Sequence, residues 1–248
     1  MAGTILITGG NRGIGLELVR QYDIAGWRVI ATARDPTHAT ELAAIATASQ
    51  GRVSIERLDL ADFATIDSLA ATHAGEPIDV IVNNAGHFGP RNDDSTDLPK
   101  RLHGQLFGNV DYDAALETIR INAYAPLRIA ETFRENLRLG TQKKFVAISS
   151  SAGSIAGGLK WDSPIQLFIY PVSKATLNKV TATLSMILKQ DGIVTVALCP
   201  GHVRTRLGGP GASISAEESA MGLREVIGDL TAADNGRFIR YDGSPIAW

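Results

Sequence analysis

Thr8-Gly9-Gly10-Asn11-Arg12-Gly13-Ile14-Gly15 stands between an apolar run, Thr4–Thr8, and an amphipathic one, Gly13–Ala25. A glycine-rich turn that leaves a strand and opens a helix suits a pyrophosphate. The helix aims free N–H groups at the anion, and the glycines keep side chains out of its path. The spacing is Gly-x-x-x-Gly-x-Gly, and on the loop alone a turn without a ligand stays open as the alternative. Outward from this loop, further short apolar runs at Arg28–Ala33, Val53–Leu58, Val80–Val82, Lys144–Ser149, Val194–Leu198 and Arg237–Arg240 read as strands. Helical patterns lie between them at Thr37–Ser49, Phe63–Thr72, Tyr112–Leu137, Ile169–Gln190 and Ala216–Asp229. Most of the strands are continuously apolar, which suits a parallel sheet covered on both faces. The expected fold is α/β: a doubly wound, Rossmann-type parallel sheet in a single domain spanning residues 1–248. Two stretches break the alternation, His87–Asn109 and Ser154–Phe168, and loops of that length in a compact domain are usually functional or mobile.

Composition narrows the function. The 248 residues are 44% hydrophobic and 20% charged, with a net charge of −2. No basic patch speaks for nucleic acid or an anionic membrane surface. No apolar run approaches the roughly 20 residues of a membrane span, so a cytoplasmic, soluble protein is expected. The single cysteine, Cys199, ends an apolar run and reads as a buried inert thiol. His38, His73, His87, His103 and His202 show no zinc-ligand spacing, so no metal site is expected.

Tyr170-Pro171-Val172-Ser173-Lys174 places a phenol and an ammonium four residues apart, on one face of a helix. An ammonium beside a phenol favours the phenolate, so the Tyr170 pKa is expected to fall from about 10 towards neutral pH. A tyrosine tuned in that way can pass a proton to or from a carbonyl or alcohol oxygen.

With the glycine loop, the chain resembles the short-chain dehydrogenase/reductase family over nearly its whole length. Thr8–Gly15, with Gly9, Asn11, Arg12, Gly13, Ile14 and Gly15, is similar to the family's cofactor loop. Asp59-Leu60 resembles the segment that meets the adenine, and Asn84-Ala85-Gly86 (after Asn83) the segment that lines the cofactor. Asn122, Ser150, Tyr170 and Lys174 match the catalytic tetrad, and Pro200, Gly201, Val203 and Thr205 the turn that holds the nicotinamide carboxamide. Gly153-Ser154-Ile155, Gly208-Gly209-Pro210-Gly211-Ala212 and the ending through Trp248 are similar to a narrower branch, the C-factor and Sniffer-type carbonyl reductases. The departure is the expanded Ser154–Phe168 segment, which separates Ser150 from Tyr170 and puts the shape of the substrate cleft in question.

The resemblance implies hydride transfer between a nicotinamide and a small carbonyl or alcohol substrate. Reduction of an aldehyde or ketone is the leading direction, alcohol or diol oxidation the alternative, and a cofactor-binding signalling role a third. It implies that Tyr170 is the general acid or base, and that Lys174 tunes it and bonds the ribose. Ser150 would hold the substrate oxygen, with Ser151 as the fallback, and Asn122 would support a water relay behind Lys174. Asp59 could instead cap the following helix, as could Asp62. A homodimer or homotetramer is also implied. NADP(H) is expected over NAD(H), because Ala33 stands where an NAD enzyme carries an acid for the ribose 2′-hydroxyl. Arg34 and Arg12 are placed to bond a 2′-phosphate. Asp35 is the alternative acid, or else turn chemistry before Pro36. Both long loops are expected to border the substrate cleft, with Trp161 as an apolar wall.

Overall fold

The seven apolar runs pair side by side, all parallel, into one sheet of order β3-β2-β1-β4-β5-β6-β7. In the computed structural model, which describes residues 3–158, 166–209 and 211–248, the strands are β1 (Thr4–Ile7), β2 (Arg28–Ala33), β3 (Val53–Arg57), β4 (Val80–Asn83), β5 (Lys144–Ile148), β6 (Val194–Cys199) and β7 (Phe238–Arg240). Trp161 and Pro210 lie outside the described residues, as does the middle of the Ser154–Phe168 segment.

Helices cover both faces: α1 (Gly13–Ile24), α2 (Thr40–Ala48), α3 (Phe63–Thr72), α4 (Leu98–Arg101), α5 (Tyr112–Ile119), α6 (Ala125–Thr132), α7 (Arg134–Leu139), α8 (Ile155–Gly158), α9 (Ile169–Leu188) and α10 (Ala216–Asp229). Alternate strand residues feed two cores. Ile5, Ile7, Val80, Val82 and Val146 pack on one face with Leu18, Leu223 and Ile227, while Leu6, Ile81 and Phe145 pack on the other with Ile66, Ile129 and Leu184. Burial on both sides explains why these strands read as unbroken apolar runs.

Three expectations need correction. The helix expected over Thr37–Ser49 begins at Thr40. Pro36–His38 form a separate 3₁₀ turn capped by Asp35, and Ala39 at φ −87°, ψ 57° is not helical. The helix expected over Tyr112–Leu137 is three helices, interrupted by a π turn at Arg120–Tyr124 and by Phe133. Pro126 has no N–H to give to the Asn122 carbonyl one turn back, and a helix that loses that bond bends or widens there. The His87–Asn109 segment is not structureless: it contains α4 and a 3₁₀ turn at His103–Gln105.

The strand order reverses between β1 and β4, since the chain builds outward from β1 to β3 and then returns to add β4 on the other side. Ligands of open α/β sheets bind beyond the carboxyl ends of the strands at such a point.

Candidate active site

The loops after β1 and β4 are joined at this switch point. Thr8 Oγ1 accepts the N–H groups of Asn84 and Ala85 at 3.0 Å each. The Asn84 amide donates to the Thr8 and Gly9 carbonyls at 2.9 and 3.2 Å. Asn84 therefore shapes the loop with its side chain. Gly9 takes φ +67°, and a Cβ there would come within 2.9 Å of the Ala85 Cβ. A Cβ on Gly15 would run into the Gly9 carbonyl, and one on Gly13 would sit 3.3 Å from Thr205 Cγ2. The loop is thus a narrow cradle that only glycine leaves open. The N-terminus of α1 beneath it has no side-chain cap and no acid in its first turn, so its N–H groups are free for an anion.

Asn11 and Ile14 are half-buried, and Ile14 packs on the first core. Arg12 and Arg34 are exposed, and neither has an ion-pair partner among the described residues. Ala33 is buried as the last residue of β2. Asp35 bonds the Thr37 N–H and hydroxyl at 3.0 and 2.6 Å and His38 Nδ1 at 2.6 Å. Its carboxylate is spent on the turn before Pro36. Asp59 accepts the Ala61 N–H, while Asp62 is the residue that caps α3. Leu60 is buried in the second core.

The three serines after β5 separate cleanly. Ser149 is buried and bonds Asn178 at 2.5 Å, Ser150 Oγ accepts the Ala152 N–H at 3.2 Å and lies near enough to the Tyr170 phenol to favour its ionised form, and Ser151 is exposed with its N–H on Cys199 Sγ. Asn178 also donates to the Gly153 carbonyl at 3.1 Å. Gly153 packs so closely on α9 that a Cβ would lie 2.6 Å from the Lys174 carbonyl carbon. These contacts press the serine turn against the helix that carries Tyr170 and Lys174.

Lys174 is buried, and its Nζ donates to the Ile148 carbonyl at 2.9 Å, 5.9 Å from the centre of the Tyr170 ring. A Cβ on Gly86 would stand 3.3 Å from Asn122 Oδ1 and 3.6 Å from Lys174 Nζ, so Gly86, Asn122 and Lys174 converge on one space. Asn122 holds the His87 backbone from both sides, N–H and C=O at 2.7 Å each, and donates to Ser173 at 2.9 Å.

The expected fall in the Tyr170 pKa does not occur. Burial outweighs the effect of the nearby Ser150 hydroxyl and pushes the phenol up to about 12, while burial brings Lys174 down to about 8. Both charges are disfavoured for the same reason, poor solvation: Lys174 is buried and Tyr170 is half-buried against it. The phenol is therefore held protonated at neutral pH.

On the far side, Gly201 at φ +82° turns the chain against Ile214 and Tyr241. The Pro200 carbonyl accepts from Ser219, and Val203 is buried in a bridge to Ile214. His202 is exposed. The His87–Asn109 segment reaches the site through Phe88, whose ring lies 4.9 Å from that of Tyr170. It reaches the 200–209 loop through Arg91, which donates to the Arg206 carbonyl at 3.0 Å. Sequence reasoning missed Phe88, Gln105, Ser149 and Asn178. Asn178 carried a signal, one helical turn beyond Lys174 on the same face; Phe88 and Gln105 sit in a segment without periodicity. Among the described residues no group of three His, Cys, Asp or Glu side chains could hold a metal ion, and no helix is long and apolar enough to cross a membrane.

Comparison with known proteins agrees with this geometry. The sequence profile of the short chain dehydrogenases matches residues 3–213. The C-signal protein of Myxococcus xanthus is 36% identical over 172 residues, 69% of this chain and 93% of that one. The carbonyl reductase Sniffer of D. melanogaster superposes with a TM-score of 0.86 at 28% identity, covering all of both chains. An NADPH-bound carbonyl reductase from chicken fatty liver gives 0.83 at 32% identity, covering 100% of this chain and 99% of that one.

Proposed function

The chain belongs to the short chain dehydrogenase family, and from that premise we propose that it is an NADP(H)-dependent reductase of aldehydes or ketones. The observation that carries this reading is the grouping of Ser150, Tyr170 and Lys174 beyond β5, with Lys174 Nζ on the Ile148 carbonyl and 5.9 Å from the centre of the Tyr170 ring. The bound nicotinamide supplies the hydride. Ser150 Oγ holds the substrate oxygen, and Tyr170 Oη gives it a proton as negative charge develops there. In the reductive direction the phenol, protonated at neutral pH, is the proton donor. Lys174 would hold the nicotinamide ribose by its hydroxyls, and Asn122 would support a water that returns a proton behind it.

The glycine cradle and the uncapped start of α1 take the pyrophosphate. Arg12 and Arg34, without a carboxylate partner among the described residues, take the 2′-phosphate, and Ala33 offers nothing to repel it. Two related proteins, from chicken fatty liver and Burkholderia multivorans, are described with NADPH or NADP bound. We further propose a homo-oligomer, since α5 exposes Tyr112 and Leu116 and α9 exposes Val172 and Met186.

Turnover of a panel of aldehydes and ketones, with NADPH and NADH in parallel, tests the reading. Tyr170→Phe removes only the proton and should cost about 10²–10⁴-fold in kcat while cofactor affinity stays. Arg34→Ala should weaken NADPH use far more than NADH use. Near-normal turnover by Tyr170→Phe would sink the mechanism; equal losses with both cofactors would remove Arg34 from phosphate recognition.

A further inference from the structure

The helix that carries Tyr170 begins without a cap of its own. Phe168 occupies the N-cap position and makes no side-chain cap bond, and Pro171 has no N–H. The cap comes instead from Gln105, which lies 65 positions earlier in the chain and is completely buried. Gln105 Oε1 accepts the Tyr170 N–H at 3.1 Å, and the Gln105 carbonyl accepts the Phe168 N–H at 2.9 Å. Its Nε2 donates to the Pro90 carbonyl at 3.3 Å. Gly89, at φ +95°, lets the chain pass so closely that a Cβ would lie 3.1 Å from Ile169 and 3.2 Å from Gln105. One residue before Gly89, the Phe88 ring lies against Tyr170. The His87–Asn109 segment thus grips the first turn of α9 by its backbone and its phenol together.

We propose that Gln105 is a positioning residue that sets the first turn of α9, and with it the place of the Tyr170 phenol relative to Ser150. The proposal rests on Tyr170 being the proton donor. An N-cap is ordinarily local and exchangeable, whereas this one ties proton delivery to the conformation of a separate loop. A phenol misplaced by about 1 Å can cost on the order of 10²-fold in rate.

Gln105→Leu keeps most of the volume and removes the amide. It should lower kcat by roughly 10–100-fold while NADPH affinity, measured by fluorescence titration, is retained. Gln105→Glu supplies a readout that general loosening would not. A protonated carboxyl reproduces the amide, accepting from Tyr170 and donating to Pro90. Once ionised it sets an oxygen against the Pro90 carbonyl with no proton between them. The kcat–pH profile of Gln105→Glu should therefore approach wild type on the acid side and fall further than wild type as pH rises.

Wild-type kcat in Gln105→Leu overturns the proposal, as does a loss that only follows cofactor affinity and folded fraction. If Gln105→Leu does not fold, the Glu variant decides: the larger alkaline fall supports the proposal, and a profile parallel to wild type overturns it. Full turnover by Tyr170→Phe in the wild-type background would instead fail the reading of Tyr170 itself, whatever the Gln105 variants do.

Discussion

Lys174 shows how a residue can be identified from sequence while its electrostatics are not. The Tyr170–Lys174 spacing was legible because a helix fixes which residues share a face. The direction of the Tyr170 shift was not, because it depends on how much water the fold leaves at that face. Burial holds the Lys174 ammonium down to about 8 from its ordinary 10.5. The unfolded chain therefore binds the proton more readily than the folded one, and folding is penalised. That penalty is complete below about pH 8, shrinks as pH rises, and vanishes above about 10.5. Lys174→Met removes the titration and the bond to Ile148 together. The second loss offsets the stability difference by a constant, but the first gives it a slope. The Tm of Lys174→Met minus that of wild type should rise as pH falls from about 10.5 to 8 and then level off, with turnover lost throughout. Thermal melts across that range check it. A flat difference would mean that the buried amine is not strained by its charge.

Among the elements, β2, α3 and α10 match the expected bounds to the residue, and the other strands to within one, because apolar runs end where the sheet ends. The break in the long helix has a mark in the sequence. Pro126 stands four residues after Asn122, so the carbonyl of Asn122 loses its i+4 partner in the middle of an otherwise amphipathic run. The π turn at Arg120–Tyr124 is what the structure makes of that loss, with Ala125 donating to Arg120 five residues back. It also turns the Asn122 side chain onto His87 and Ser173. Pro126→Ala restores the donor. The helix should then straighten, with Tm unchanged or raised by the better propensity, and draw Asn122 away from Lys174. We expect kcat to fall about tenfold, from a displacement well short of the 1 Å scale, with little change in Tm; a variant as active as wild type would detach the π turn from catalysis. Gln105 had no comparable signal, since a buried polar residue in an aperiodic segment is indistinguishable from a surface one until its partners are folded around it.

Across the whole molecule, site and staple occupy opposite ends of the same sheet. The glycine cradle, Ser150 and the 200–209 loop follow the carboxyl ends of β1, β5 and β6, while Asp79 lies just before β4 at the amino end. Asp79 is largely buried, and it accepts from the Thr4 N–H at 2.8 Å, the Thr141 N–H and hydroxyl at 2.8 and 2.7 Å, and the Gln142 N–H at 3.2 Å. It therefore joins the starts of β1 and β4 to the turn that enters β5. Burial raises its pKa, but the bonds from Thr141, Thr4 and Gln142 outweigh it and hold the carboxyl below its ordinary 3.8. That stabilisation is complete above about pH 4 and is lost as pH falls through the depressed folded value. Asp79→Asn keeps the shape but replaces one charged acceptor by an amide whose NH₂ meets donors. The loss should be about 3 kcal/mol, the upper range for hydrogen bonds to a charged group. For a chain of this length that is a drop of roughly 6–12 °C in Tm at neutral pH. The gap to wild type should close as pH falls below about 4. Since the residues assigned to the candidate site lie at the other end of the sheet, kcat and KM at 25 °C should not change. A variant that lost activity while keeping its Tm would show that the amino end of the sheet shapes the site, and would overturn this separation of the two ends.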